Sequence, residues 1–158
     1  MAVLRTEPLG WASYGARILD GGKELARLEI TWLKGRGTFR LHNETFAIEP
    51  KGFFLSHAVL EKGSTALAKA HKPSAFRRRF EVTSAGHEFV LESQSWTGRE
   101  YALFHGDQEV GWIKREGWTG RKLDLEFPDD MPVFLQIFLA YIVLAQMRRE
   151  AAAAASGS

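Results

Sequence analysis

The chain has 158 residues, of which 45% are hydrophobic, 25% charged and 12% aromatic, and it has no cysteine. Its 21 Lys and Arg residues exceed its 19 Asp and Glu residues by only two, and this small net charge argues against nucleic acid as the main partner. The length and composition are typical of one globular domain. They exclude a disordered or collagen-like chain, a disulfide-stabilised scaffold and a cysteine-based zinc site or nucleophile.

Short runs of alternating apolar and polar residues fill the chain up to Asp129. Alternation with a period of two is typical of β-strands. It predicts strands at residues 26–32, 45–49, 80–83, 88–92, 101–104 and 122–127. Glycine-containing turns separate such runs at residues 20–22, 62–64, 85–86 and 105–107, and glycine supplies the positive φ that tight hairpins need. We therefore predict a mainly β, antiparallel fold.

A repeat of about 43 residues underlies these strands. A shift of 43 residues pairs Gly63 with Gly106 and residues 78–82 with 121–125, and a shift of 42 pairs Gly21 with Gly63. Some of these matches would follow from any alternating sequence, but the aligned glycines favour a true repeat. Three copies of about four strands each predict a twelve-stranded antiparallel sheet, which should close into a barrel too wide to be filled by its own side chains.

The C-terminal segment has a different pattern. Residues 133–145 are apolar except for Gln136, and the chain stays uncharged from Met131 to Met147. Apolar side chains would cover every face of a helix there, which is typical of a buried helix. We predict a helix at residues 131–149 enclosed by the barrel, a single domain at residues 1–149 and a disordered Ala/Ser/Gly tail at 150–158.

The ends of this helix have their own sequence markers. Asp129 and Asp130 offer carboxylates to cap free amides, and Pro132 suits a first helical turn. Arg148 and Arg149 place cations at the other end, where the helix dipole favours them.

Four segments carry a resemblance to a known family: residues 88–92, residues 109–114 (EVGWIK), residues 123–127 and the apolar residues 134–149. With these segments the chain resembles the tubby C-terminal-like superfamily, and it is most similar to its small LURP-one-related and phospholipid scramblase-like members. The resemblance implies a twelve-stranded barrel around a hydrophobic central helix, association with membrane lipids and no enzymatic activity. The signature segments of true tubby proteins are not visible, so no lipid-binding residues are carried over.

Basic residues on and beside two equivalent strands form the candidate binding site. With Phe80 and Val82 inward, alternation turns their neighbours outward. The candidate residues are Lys72, Arg77, Arg79, Lys114, Arg115 and Lys122. Such groups bind phosphate through charge-assisted hydrogen bonds, whereas the alternative is a solvated strand face with interspersed acidic residues. Nearby tryptophans would add a membrane-interface surface or pack in the barrel: Trp96, Trp112 and Trp118.

Four acidic residues are weak calcium candidates: Asp124, Glu126, Asp129 and Asp130. They stand where scramblases have a denser acidic stretch proposed to bind calcium. They lack the order of a twelve-residue calcium loop, and helix capping and solvated strand positions explain them as well. The five histidines have no metal-binding spacing, so we expect no metal and no cofactor.

We therefore expect a non-enzymatic, cytoplasmic binding module that contacts anionic phospholipid headgroups or a protein partner through the barrel exterior. Membrane contact would be peripheral and not integral. The alternatives are a tail-anchored protein with residues 131–147 in the bilayer, a structural scaffold without lipid activity, and an enzyme of unrecognised type or a small-ligand carrier. The apolar run is shorter than the about 20 residues that a membrane-spanning helix needs.

Overall fold

Twelve strands and one helix are described by a computed structural model, which covers residues 2–10, 13–51, 56–117 and 120–157. The strands are β1 (Ala2–Pro8), β2 (Ala16–Asp20), β3 (Lys23–Ile30), β4 (Gly37–Leu41), β5 (Glu44–Lys51), β6 (His57–Lys62), β7 (Thr65–His71), β8 (Arg79–Ser84), β9 (His87–Ser93), β10 (Glu100–His105), β11 (Gln108–Arg115) and β12 (Leu123–Phe127). The helix α1 (Val133–Ser156) follows them. All six predicted strand segments overlap these strands, but the segment 26–32 runs two residues past the end of β3 at Ile30, and the segment 122–127 begins one residue before β12.

The strands form one closed antiparallel barrel. Each strand pairs with its neighbours in the sequence, and β1 pairs with β12 to close the barrel. Side chains alternate between the two faces as predicted: Phe80 and Val82 are buried, whereas Glu81 between them is exposed. The predicted twelve-stranded closed barrel is therefore confirmed.

Because consecutive strands are antiparallel, the connections alternate between two ends of the barrel. We call one the turn end: its strand connections are two-residue turns such as 21–22, 63–64 and 106–107, where Gly21, Gly63 and Gly106 have positive φ. The other, the loop end, has six connections of five to seven residues: 9–15, 31–36, 52–56, 72–78, 94–99 and 116–122. The predicted glycine turns all lie at the turn end.

Three hairpins have a register shift at equivalent places. The shifts fall between Ile18 and Leu19, between Leu60 and Glu61, and between Leu103 and Phe104. A bulge of this kind bends a strand and strengthens its twist. The same irregularity thus recurs in the β2–β3, β6–β7 and β10–β11 hairpins, where Leu25, Leu67 and Val110 are the residues without a partner in the register.

The helix α1 begins at the turn end, where β12 ends, and its last buried turns lie at the loop end. There Gln146 contacts Lys72 of the β7–β8 connection, and Arg148 lies against Trp32 of the β3–β4 connection. All residues from 135 to 144 are buried, and their apolar side chains join the inward side chains of the strands in one cluster. A helix that is apolar on every face needs this cover on every face.

Both predicted ends of the helix are wrong. The helix begins at Val133, and its N-cap is Pro132, with no side-chain hydrogen bond in place of the expected Asp129 or Asp130 cap. It continues through Ser156, where the sequence predicted a disordered tail. Alanine has the highest helix propensity of all residues, so the alanine run at 151–155 extends the helix although its side chains are exposed.

Candidate functional site

The loop end exposes large apolar side chains. Exposed fractions are 73% for Trp32 and 89% for Leu33 in the β3–β4 connection, 98% for Phe76 in the β7–β8 connection and 90% for Trp96 in the β9–β10 connection. We call these four the tip residues. Among the other described residues, Val3 near the turn end is the only large hydrophobic side chain that is also exposed, and its exposed fraction is 46%. Four strongly exposed apolar side chains grouped at one end indicate a contact surface.

Charge is also unevenly distributed between the two ends. Counting each connection with two strand residues on either side, and residues 146–150 of α1, the loop end has 15 basic and seven acidic residues. The turn end, counted in the same way, has three basic and ten acidic residues. The small net charge therefore hides a basic end and an acidic end.

Residues of α1 hold the connections that carry the tip residues. Arg78 forms an ion pair with Glu150 and donates from Nη1 to the backbone oxygen of Trp96 at 2.6 Å. The Tyr141 hydroxyl donates to the backbone oxygen of Gly35 at 2.7 Å. The β3–β4, β7–β8 and β9–β10 connections are therefore fixed to one helix.

Lys72, predicted on the exposed surface, is only 6% exposed, so its place in an outward basic patch is wrong. Its Nζ donates to Gln146 Oε1 at 3.0 Å and lies 5.5 Å from the centre of the Phe80 ring. Burial, together with the nearby positive charge of Arg149, lowers the pKa of Lys72 to about 8. Lys72 fixes α1 to the barrel and is not available to a ligand from outside.

The basic residues predicted on β8 stand beside acidic neighbours. Arg77 is exposed and forms an ion pair with Glu92 at 3.5 Å, and Arg79 lies opposite the same Glu92 in the strand register. Arg77 and Arg79 line one shallow cavity of about 350 Å³ together with Glu81, Pro73 and Ser74. The structure brings these two arginines together.

The remaining predicted cations lie two strands away. Lys114 is opposite Glu100 on one side and Asp124 on the other, and its Nζ is 4.6 Å from the Trp112 ring. Arg115 is half-buried and donates from Nε to the backbone oxygen of Gly120 at 2.7 Å, and burial lowers its pKa. Lys122 is exposed. With β9 and β10 between them, the predicted residues form two groups and not one patch.

The four calcium candidates are spread along the length of β12. Asp124, near the loop end, is paired with Arg5 at 2.9 Å, whereas Asp129 and Asp130 lie at the turn end beyond Glu126. Within the part of the chain that the structure describes, no group of three or more His, Cys, Asp or Glu side chains is placed to hold a metal ion.

Sequence reasoning did not include Trp32, Phe76, Arg78 or Arg148 in the candidate site; it assigned Arg148 only to the end of the helix. Trp96 was considered, and it proves exposed; Trp112 is half-buried on β11, and Trp118 lies outside the described residues. A search for aromatic residues in the longer connections would have found Phe76, because alternation assigns no face to residues outside strands. Trp32 falls inside the predicted strand at 26–32, whereas β3 ends at Ile30, and alternation does not fix where a strand ends.

Among the described residues, no helix is long and apolar enough to cross a bilayer. Comparisons with protein-family models, with curated proteins and with solved structures find no match to this chain.

Proposed function

We propose that this protein is a non-enzymatic, peripheral membrane-binding module whose loop end docks on bilayers that contain anionic phospholipids. The observation that carries the proposal is the coincidence of the four tip residues with the excess of basic residues at the same end of the barrel. Neither feature occurs at the turn end, as far as the described residues extend.

The tip residues and the basic residues of the loop end would interact with different parts of the membrane surface. Tryptophan and other aromatic side chains favour the headgroup level, where an apolar ring leaves water while its polar edge stays hydrated. Lys and Arg near an anionic surface contribute about 1 kcal/mol each. The combination provides the two kinds of attraction that stable peripheral binding needs.

The acidic turn end supports one orientation. An anionic surface repels the ten acidic residues of the turn end and attracts the 15 basic residues of the loop end. In cells, anionic lipids give the cytoplasmic leaflet of the membrane a negative surface potential. We therefore propose the cytoplasmic face of a membrane as the site of action.

The proposal includes a finer description of the fold, with α1 running through the lumen of the barrel and the barrel built from three four-stranded repeats. The burial of every face of α1 between residues 135 and 144 supports the first point. The recurring register shifts support the second, because each lies beside a small inward residue at the repeat spacing: Ala26, Ala68 and Gly111. Membership of the tubby C-terminal-like superfamily stays a prediction.

Vesicle cosedimentation tests the proposed function. We expect the protein to sediment with phosphatidylcholine vesicles that contain phosphatidylserine and to remain in solution with phosphatidylcholine alone. The pair Phe76→Ser and Trp96→Ser should abolish the binding, whereas Val3→Ser removes an exposed apolar side chain from the other end and should leave it intact.

Charge reversal provides a second arm. Arg77→Glu with Arg79→Glu should weaken binding to anionic vesicles, whereas Lys23→Glu with Lys62→Glu makes the same change in net charge at the turn end and should have little effect. Equal recovery with neutral and anionic vesicles, or equal losses in the two double variants, would contradict docking by the loop end.

A further inference from the structure

A small cavity lies at the loop end between the β1–β2 and β3–β4 connections. It has a volume of about 220 Å³ and is lined by Ser13, Tyr14, Ile30, Thr31, Trp32 and Arg148. Arg148 belongs to α1, and the exposed indole of Trp32 forms part of the rim of the cavity. The cavity thus combines the end of the helix with one of the tip residues.

Arg148 is the charged group of this cavity. Its guanidinium carbon lies 6.0 Å from the centre of the Trp32 ring, and its Nη1 is so close to Gly35 that a Cβ there would come within 2.9 Å. In the described ranges Arg148 has no carboxylate partner and no hydrogen bond, whereas Arg78 nearby is paired with Glu150. A half-buried cation without a counter-ion favours an anionic ligand.

Three hydroxyl residues complete the lining. The Ser13 Oγ accepts from the backbone N–H of Gly15, and the Thr31 Oγ1 accepts from that of Arg36, both at 3.0 Å. Each of these hydroxyls keeps its own proton to donate. The Tyr14 hydroxyl has no hydrogen bond to any described residue.

None of the described residues that line the cavity is acidic. A second guanidinium stands close by, because Arg121 stacks on the Tyr14 ring with its central carbon 5.0 Å from the ring centre. Hydroxyl donors grouped around a guanidinium, without a carboxylate, match the acceptor oxygens of a phosphate.

Size limits what the cavity can take. Water occupies about 30 Å³ per molecule, so 220 Å³ corresponds to the space of about seven water molecules. That is the size of a phosphate group with one or two carbon atoms, and Ile30 and Trp32 offer apolar contacts to those carbons.

We propose that this cavity binds the phosphate of a phosphate ester, with Arg148 as the anchoring cation and Ser13, Tyr14 and Thr31 as hydroxyl donors. Given the proposed function, on which this assignment of the source rests, the ester is the headgroup of a membrane phospholipid. The tip residues Trp32 and Leu33 then lie beside the bound headgroup, at the level of the bilayer surface.

The test uses glycerol 3-phosphate as a soluble probe and follows tryptophan fluorescence of the full-length protein. We expect saturable binding that Arg148→Gln weakens about tenfold or more, because a hydrogen-bonded charge is lost. Tyr14→Phe, which removes a single hydroxyl, should weaken binding about twofold to tenfold. Lys23→Gln makes the same charge change at the turn end and should leave the affinity unaltered.

Failure of the probe to bind, or unchanged affinity in both Arg148→Gln and Tyr14→Phe, would overturn the assignment. Should Arg148→Gln fail to fold, as its thermal unfolding would reveal, Tyr14→Phe alone decides. Phosphatidic acid vesicles that displace glycerol 3-phosphate indicate a lipid source, whereas displacement by inorganic phosphate alone indicates the free anion and contradicts the headgroup. If the probe fails while anionic vesicles still bind, only this inference falls; if the probe binds and vesicles do not, the proposed function falls.

Discussion

Lys72 illustrates how one side chain can serve the fold at an electrostatic cost. The ammonium lies in the core, with a hydrogen bond to Gln146 and a neighbouring aromatic ring, but no carboxylate in direct contact. Burial disfavours the charged form, and the pKa falls from 10.5 to about 8. The folded state therefore binds this proton less tightly than the unfolded chain does.

This difference predicts a pH dependence of stability. Between about pH 8 and 10.5 the unfolded chain keeps the proton that the folded protein has released, so the free energy of unfolding should rise with pH. The slope from Lys72 should be at most about 1.4 kcal/mol per pH unit. Urea unfolding at several pH values measures it, and Lys72→Met should lack the rise.

The unfolding of Lys72→Met and of the unaltered protein should be compared only below pH 10. Burial raises the pKa of Tyr101 and Tyr141 above their ordinary value of 10, so the unfolded tyrosines ionise first and stability falls at higher pH. Identical slopes in Lys72→Met and the unaltered protein below pH 10 would show that Lys72 does not titrate as described.

Gly111 is a second position where a single atom matters. A Cβ added there would overlap the Phe127 ring and come within 2.5 Å of the backbone oxygen of Glu126. Because one of these groups is backbone, it cannot rotate away, and Gly111→Ala should lower the free energy of unfolding by about 1 to 3 kcal/mol. Gly10→Ala is the control, since a Cβ at Gly10 meets no atom within 4 Å. Equal urea midpoints for the two variants would be inconsistent with this packing.

At the scale of the element, α1 has three parts with different roles. Residues 135–144 fill the core, Gln146 and Glu150 anchor two loop-end connections through Lys72 and Arg78, and residues 151–156 are exposed. The middle part contributes mainly to stability, and the second part to the placement of the loops that carry the tip residues.

Two truncations separate these parts. A chain ending at Glu150 should unfold at nearly the same urea concentration as the full chain, because residues 151–157 are exposed. A chain ending at Ala145 also loses the buried Met147 and both anchoring contacts. It should be less stable by about 3 kcal/mol or more and should be cut faster by trypsin after Arg77 and Arg78. Equal trypsin sensitivity of the two truncated chains would argue against an anchoring role.

At the scale of the whole molecule, the separation of basic and acidic residues gives the barrel an electric dipole along its axis. The loop end has eight more basic than acidic residues, and the turn end has seven more acidic than basic residues. An anionic surface exerts a torque on such a molecule before contact, which presents the tip residues to the surface. Added salt should weaken this steering because it shortens the Debye length.

Quenching by lipids brominated on their acyl chains measures the orientation of the bound protein. We expect tryptophan fluorescence to be quenched on anionic vesicles, and the quenched fraction to fall in Trp32→Phe and Trp96→Phe. Trp112→Phe should keep it, because Trp112 is half-buried on β11 beneath the Lys114 side chain. A larger loss of quenching in Trp112→Phe than in the other two variants would place the side of the barrel, and not its loop end, against the membrane.

The sequence was sufficient to predict what depends on neighbours along a strand. Alternation placed Phe80 and Val82 inward, and glycine placed the turns at 21, 63 and 106. It could not predict what depends on packing between distant segments: Lys72 is buried because α1 brings Gln146 to it, 74 residues away. The tip residues lie in connections where no period applies, and the alanine run looked like a tail because low complexity conceals a strong helix propensity.

The seam between β1 and β12 has a consequence for synthesis on the ribosome. Eleven of the twelve strand pairings join strands that follow each other in the chain, and each can form as a hairpin when its second strand emerges. The twelfth joins Ala2–Pro8 to Leu123–Phe127, so one edge of β1 stays open until β12 has been made. A nascent chain is therefore a growing open sheet whose edge and apolar face attract other chains, and that exposure ends only when β12 and α1 have emerged.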